Sequence, residues 1–308
     1  MAKNFLRFGV WNINRLNGKL NDTDFLSKIN HFDLISLVET WLPYGNPDVH
    51  IDGYCSFSKC RKEKSLSSRR NSGGITILVK QSLRKGVKFL DKGSNEEFVW
   101  WKLDKTFFNL TSDIFVCSVY IPLQNSSREI RLNTDHFENL QNYIHKFSVL
   151  GDVILCGDFN ARTGTLDDFT HVDPFLNEGN LSTIIVSKRF SRDLNTNCYG
   201  RSLVELCIEN NSVALNGRTK GDLTGQFTCN TYNGSSVVDY AIVAQELFLL
   251  INSFTVDYPT EFSHHSCLNF VMRIKTPKHP NVNMEVLNKS ISFVWDETKK
   301  QDLYDVMS

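Results

Sequence analysis

The sequence predicts an α/β fold in which two mostly antiparallel β-sheets pack face to face with helices outside. Three observations carry this prediction. Short apolar runs rich in β-branched and aromatic residues recur from Leu6 to Phe270. Segments with helical spacing are few and fall between pairs of those runs. Composition shows no sharp shift until Thr276, so we read one domain over residues 1–275 and a tail over 276–308.

Each element follows in turn. LRFGVWNI (6–13) reads as a first strand, NDTDFLSKI (21–29) as a short helix opened by an Asn or Asp cap, and DLISLVET (33–40) as a buried strand ending in an acid. GGITILVK (73–80), EFVWWKL (97–103) and DIFVCSVYI (113–121) are three more strands. From Ser127 the period changes, and Phe137, Leu140, Ile144 and Phe147 mark one helix face leading into the strand DVILC. GRSLVELCIEN (200–210) is a second helix, and VALNGR follows it. QFTCNTYNGSSVVDYAIV (226–243) reads as a hairpin around Asn233-Gly234, and CLNFVMRI (267–274) as the last strand.

With 41% hydrophobic and 22% charged residues among 308, the chain has enough apolar material for a core, which excludes disorder as its general state. MAKNFLRFGVWNIN enters a strand pattern at once, and no 18-residue apolar run appears. The expectation is therefore an intracellular protein with no membrane partner. The eight cysteines contain no CxxC pair, so neither disulfides nor zinc is expected. Net charge is +0, so any nucleic-acid contact must come from a local patch. The best such patch is KCRKEKSLSSRR (59–70), with Lys59, Arg61, Lys62, Arg69 and Arg70; RKGVK (84–88) is a second. A solvated loop explains the same charges equally well.

Polar residues stand at strand ends: Asn12 after FGVW, Glu39 after ISLV, Asp158 and Asn160 after VILCG, Asp239 after SSVV, and His265 before CLNF. Each alone also reads structurally. Asn12 fits a side chain bonding to a turn, Glu39 a cap near Trp41, Tyr120 a half-buried strand aromatic, and His265 an ordinary core or surface histidine. GDFN is the strongest single signal. Its acid and amide lie two positions apart, on one side of an extended chain, beside a glycine that permits close approach.

Taken together, WNIN (11–14), ETW (39–41), YIP (120–122), GDFN (157–160), VDY (238–240) and SHHS (263–266) resemble the ordered motifs of the endonuclease/exonuclease/phosphatase family. The resemblance implies a four-layered α/β sandwich. GDFNARTG, the TYNGSSVVDYAIV segment and the tail are most similar to the endonuclease domain of a non-LTR, LINE-type retrotransposon. It further implies Mg²⁺, or Mn²⁺, at Glu39 with Asn12 beside it. Asp158 would hold or activate the attacking water, Asn160 orient it and Tyr120 contact the phosphate. His265 would stabilise developing charge, fixed by Asp239.

One position departs from the pattern. The family has aspartate immediately before the final histidine, and this chain has His264. Because hard cations prefer oxygen ligands, His264 at the metal should lower affinity or rate, or shift preference toward Mn²⁺.

The implied substrate is double-stranded DNA, nicked to leave a 3′-hydroxyl that primes reverse transcription in the nucleus, with Thr228 as a phosphate contact. The tail SISFVWDETKKQDLYDVMS resembles the linker toward a reverse transcriptase in a longer polyprotein that also engages element RNA. Two other classes share the motifs: a phosphomonoesterase for inositol phosphates or nucleotides, and a weakened DNA-binding relic.

Overall fold

A computed structural model describes residues 4–45, 49–62, 71–90, 95–169 and 187–274. Arg69, Arg70 and the tail from residue 276 lie outside the described residues. In chain order the elements are β1 (Phe5–Asn12), α1 (Thr23–Asn30), β2 (Leu34–Val38), β3 (Tyr54–Lys59), β4 (Ile75–Lys80), β5 (Val87–Phe89), β6 (Phe98–Leu103) and α2 (Lys105–Phe108). They continue with β7 (Asp113–Tyr120), α3 (Ser127–Leu132), α4 (His136–Ser148), β8 (Gly151–Asp158), α5 (Cys198–Glu209) and β9 (Ser212–Ala214). The last are β10 (Cys229–Thr231), β11 (Gly234–Ser236), β12 (Asp239–Ala244), α6 (Gln245–Phe248), β13 (Ile251–Val256) and β14 (Leu268–Arg273).

Two six-stranded sheets result, ordered β13-β14-β1-β2-β4-β3 and β5-β6-β7-β8-β12-β9, with β10 and β11 as a separate hairpin. Each sheet is antiparallel except for one central parallel pair, β1 with β2 and β7 with β8. Inward side chains from both sheets form the inner core: Phe8 and Val10 meet Val99, Trp101, Ile154 and Phe270. Phe8 stacks on Phe270 at 4.6 Å between ring centroids. The outer face of the second sheet is covered by α4 and α5, through Phe137, Leu140, Ile144, Phe147, Leu203 and Leu206. That of the first is covered by α1, whose Phe25 and Ile29 pack with Trp11, Ile35 and Leu37. Helix, sheet, sheet, helix gives the four layers expected.

Local chemistry sets the helix starts. Asp135 accepts from the amides of Phe137 and Glu138 at 2.9 and 3.0 Å, and Asn197 accepts from Gly200 at 2.7 Å. The single helix expected from Ser127 is two, because Asn133 adopts a left-handed conformation (φ 44) that ends α3. β3, β5 and β13 are strands that the sequence pattern left out. All three lie on sheet edges, where strands are short or carry polar residues on alternate positions. The hairpin turn is Tyr232-Asn233, since Thr231 pairs with Gly234, one residue earlier than expected.

Candidate active site

Topology gathers the site. Because β1 runs parallel to β2 and β7 to β8, the carboxyl ends of each pair open at a common end of their sheet. The antiparallel partners β14 and β12 begin there. Asn12 closes β1, Glu39 follows β2, Tyr120 and Asp158 close β7 and β8, Asp239 opens β12, and His265 stands just before β14.

Asn12 joins the two sheets by donating Nδ2 to Oδ2 of buried Asp158 at 2.8 Å. Its own Oδ1 accepts from the Asn14 amide at 3.1 Å, so the turn bond expected of a strand end is present too. The other Asp158 oxygen accepts from the Asn160 amide at 2.9 Å. Asn160, with φ 49, is a strained non-glycine turn residue and donates Nδ2 to the Ile121 carbonyl at 2.8 Å. Gly157 makes this turn possible: with φ +148, a Cβ there would sit 1.9 Å from the Val119 carbonyl oxygen.

Asp239 lies directly opposite Asp158 in the β8–β12 ladder. It accepts from Nδ1 of His265 at 2.9 Å. Burial and the facing Asp239 carboxylate push Asp158 up to about 7, against the opposing pull of His265 and the bonds from Asn160 and Asn12. Burial would lower His265, but the charge and hydrogen bond of Asp239, with help from Cys229 and Asp158, hold it at about 12. The Asp239 carboxylate therefore favours the protonated ring. Among the described residues, Asp158, Asp239 and His265 are the cluster whose ligand atoms lie within 4.8 Å of one another.

Glu39 is held at φ 57, with its carbonyl accepting from the Arg15 amide at 2.8 Å and its carboxylate accepting from Trp41 Nε1. Burial raises its pKa; the Trp41 bond, Arg61 and His265 oppose that rise, so both cations act on it. Arg61 is buried rather than surface-facing. Its guanidinium lies over the Tyr120 ring at 5.0 Å and reaches Glu97 at 3.5 Å. That overturns its place on an exposed DNA-facing loop, because its charge is balanced inside the fold.

The remaining expected residues divide. Thr228 is fully buried, and its hydroxyl accepts from the Val238 and Asp239 amides at 3.0 and 3.1 Å. It supports Asp239 from beneath, so a phosphate contact is corrected to a structural one. Exposed His264 is outside the three-residue cluster, and its carbonyl accepts from the Asn230 amide at 2.8 Å. Lys59 ends β3, an edge strand, and Lys62 is exposed. Three contributors were missed. Ser263 donates to the Asn12 carbonyl at 2.6 Å and accepts from the His265 amide at 3.1 Å. Asn197 donates to the Asn160 carbonyl at 2.9 Å, and Cys229 Sγ lies 3.5 Å from His265 Nε2. Ser263 was legible within SHHS; Asn197 and Cys229 carry no local signal.

In this two-sheet sandwich a buried carboxylate bridged across the sheets faces the Asp239–His265 pair. The chain belongs to the Endonuclease/Exonuclease/phosphatase family, whose model matches residues 9–263. This family acts on phosphodiester bonds. No curated protein sequence matches the chain. Among solved structures it is similar to the AP endonuclease LMAP from Leishmania major, at 16% identity and TM-score 0.63, covering 88% of each chain. It is similar to the 3′ phosphatase NExo from Neisseria bound to a product DNA hairpin, at 15% identity and TM-score 0.54, covering 86% of this chain and 98% of that one. A third is the endonuclease domain of TRAS1, a telomere-specific non-LTR retrotransposon, at 16% identity and TM-score 0.56, covering 88% of this chain and 100% of that one. At these identities the likeness is one of fold.

Proposed function

We propose that the chain is a divalent-metal-dependent endonuclease that nicks one strand of double-stranded DNA, leaving a 3′-hydroxyl that primes reverse transcription of a retrotransposon. The observation that carries this reading is the Asn12–Asp158 bond between the sheets, set directly across from the Asp239–His265 pair. The donor set fits a divalent cation: burial raises the Glu39 carboxyl against the pull of Trp41 and Arg61, a cost in ionisation that a cation bound there would relieve. Glu39, with Asn12 beside it, would hold Mg²⁺, or Mn²⁺ in its place. The bound cation would polarise the scissile phosphate and steady the leaving oxygen.

The chain's own groups do the rest. Asp158, its carboxyl held above the ordinary carboxylate range by burial and Asp239, takes the proton of the attacking water. Asn160, anchored by the Nδ2 bond to the Ile121 carbonyl, orients that water through Oδ1. The imidazolium of His265, held by Asp239, stabilises charge on the phosphoryl oxygens, and the Tyr120 hydroxyl contacts them. Lys59, Lys62, Arg69 and Arg70 contact the DNA backbone. A reverse transcriptase region, element RNA and a nuclear setting complete the reading.

The test is nicking of supercoiled plasmid with Mg²⁺ and then Mn²⁺. Wild type gives relaxed circles, and Asp158→Ala lowers the rate by at least about a hundredfold. Equal nicking by both proteins would place the chemistry elsewhere. Release of inorganic phosphate from small phosphomonoesters without nicking would favour the phosphatase class. His264→Asp raises the Mg²⁺-supported rate; an unchanged rate would remove His264 from the metal's environment.

A further inference from the structure

Beside the Asn12–Asp158 bond, the two sheets meet again at Arg61. We infer that Arg61 is a positioning residue: its guanidinium fixes the Tyr120 ring from the second sheet and, through the Gly73 backbone, the Glu39 carboxylate from the first. Arg61 follows β3, an edge strand of the first sheet, and its side chain is only 6% exposed. The guanidinium lies over the Tyr120 ring at 5.0 Å. It also lies against Gly73, where an added Cβ would sit 2.3 Å from Cζ and from Nε, so a side chain at that position would displace it. The same glycine donates its amide to the Glu39 carboxylate, and its carbonyl accepts from the Trp41 amide at 2.9 Å. Glu97 completes the group. Its carbonyl accepts from the Tyr120 amide at 2.8 Å, while its carboxylate stands 3.5 Å from Arg61 Nη2 and accepts from Arg128 Nη2 at 3.1 Å. One acid thus holds the Tyr120 backbone and Arg61, and Arg61 holds the Tyr120 ring.

A buried cation kept for stability alone is expected to satisfy its donors, because a buried nitrogen without an acceptor costs free energy. Here Nε and Nη2 are buried without a hydrogen bond, and Nη1 donates to Ser72 Oγ at 3.3 Å. What the planar fork supplies instead is a flat face for an aromatic ring, which an ammonium lacks. Because Arg61 is buried, it acts through Tyr120 and Gly73 rather than on a phosphate. Transition-state contacts depend on placement more steeply than binding does, so its loss should fall on kcat. Only this kinetic consequence rests on the proposed nuclease activity; the placement of the side chains does not.

Nicking kinetics of the full chain with Mg²⁺ test the role. Arg61→Met keeps an apolar stem and leaves Glu97 paired with Arg128. It should lower kcat by about tenfold or more while KM stays within about twofold. Arg61→Lys keeps the charge but not the flat fork, so it should recover the melting temperature lost in Arg61→Met without recovering kcat. A merely structural residue would recover both together. In a Tyr120→Leu background, Arg61→Met should cost less than it does alone. A rise in KM alone, recovery of kcat by lysine, or losses that multiply in full would overturn the role. A second measurement needs no turnover. The full chain is labelled with 3-fluorotyrosine, and the Tyr120 resonance is assigned by its loss in Tyr120→Phe. That resonance should move in both Arg61→Met and Arg61→Lys, and in wild type it should show an Overhauser contact to the Arg61 side-chain hydrogens. A resonance that stays in place refutes the placement; should neither variant fold, absence of the wild-type contact refutes it. If wild type does not nick, the fluorine measurement still decides the placement, and the nuclease reading alone falls.

Discussion

Asp158 concentrates the conflict between stability and activity in one side chain. The unfolded aspartate loses its proton near 3.8, whereas burial and Asp239 hold the folded one to about 7. Between those values the folded state binds the extra proton, so this group's contribution to stability falls as pH rises across that window. Metal-free protein should therefore melt lower at pH 7 than at pH 5. Asp158→Ala should shrink that difference, because the titrating carboxyl is gone; an unaltered difference in thermal melts would show that other groups set the slope. At this scale much of the site was legible. Asn12, Glu39, Asp158, Asn160, Asp239 and His265 sit at strand ends, where a sequence pattern can find them. Arg61 and Thr228 were misplaced because residue type announces a cation or a hydroxyl but not its burial. Cys229 was missed because its partner is 36 residues away in sequence.

The element that limits the site is the end of β8. Two nearby features of the turn store conformational cost, Gly157 at φ +148 and Asn160 at φ 49. The glycine is also where β8 meets β7 most closely, since an added Cβ would lie 1.9 Å from the Val119 carbonyl oxygen. Gly157→Ala should destabilise the protein by about 3 kcal/mol or more in urea denaturation, through a named backbone clash. Gly234→Ala is the control: its φ is +129, but a Cβ there meets nothing within 4 Å, so it carries the backbone strain without the clash. Equal losses from both substitutions would show that strain, and not the approach of β7, fixes the turn. Helices and central strands were readable at this scale because their apolar faces are long and periodic. Edge strands β3, β5 and β13 were not, because solvent on one side removes the apolar signal that pairing alone does not write into sequence.

Across the whole molecule, the site exists only where the two sheets meet. The first sheet supplies Asn12, Glu39 and His265, and the second supplies Tyr120, Asp158 and Asp239. Their registry is kept by the inner core, in which Phe8 and Val10 pack with Val99, Trp101 and Ile154. Neither sheet can hold a working site while the other loosens. Loss of the proposed nicking activity and loss of buried tryptophan fluorescence, reported by Trp11 and Trp101, should then share one midpoint in urea. Ile154→Ala, which opens a cavity between the sheets, should cost about 2–5 kcal/mol of stability and so move both midpoints down together. Activity that fades well before the fluorescence would mean that the strand ends disengage while the core stays packed. In that event the Asn12–Asp158 bond, and not the sandwich, would set the range over which the enzyme works.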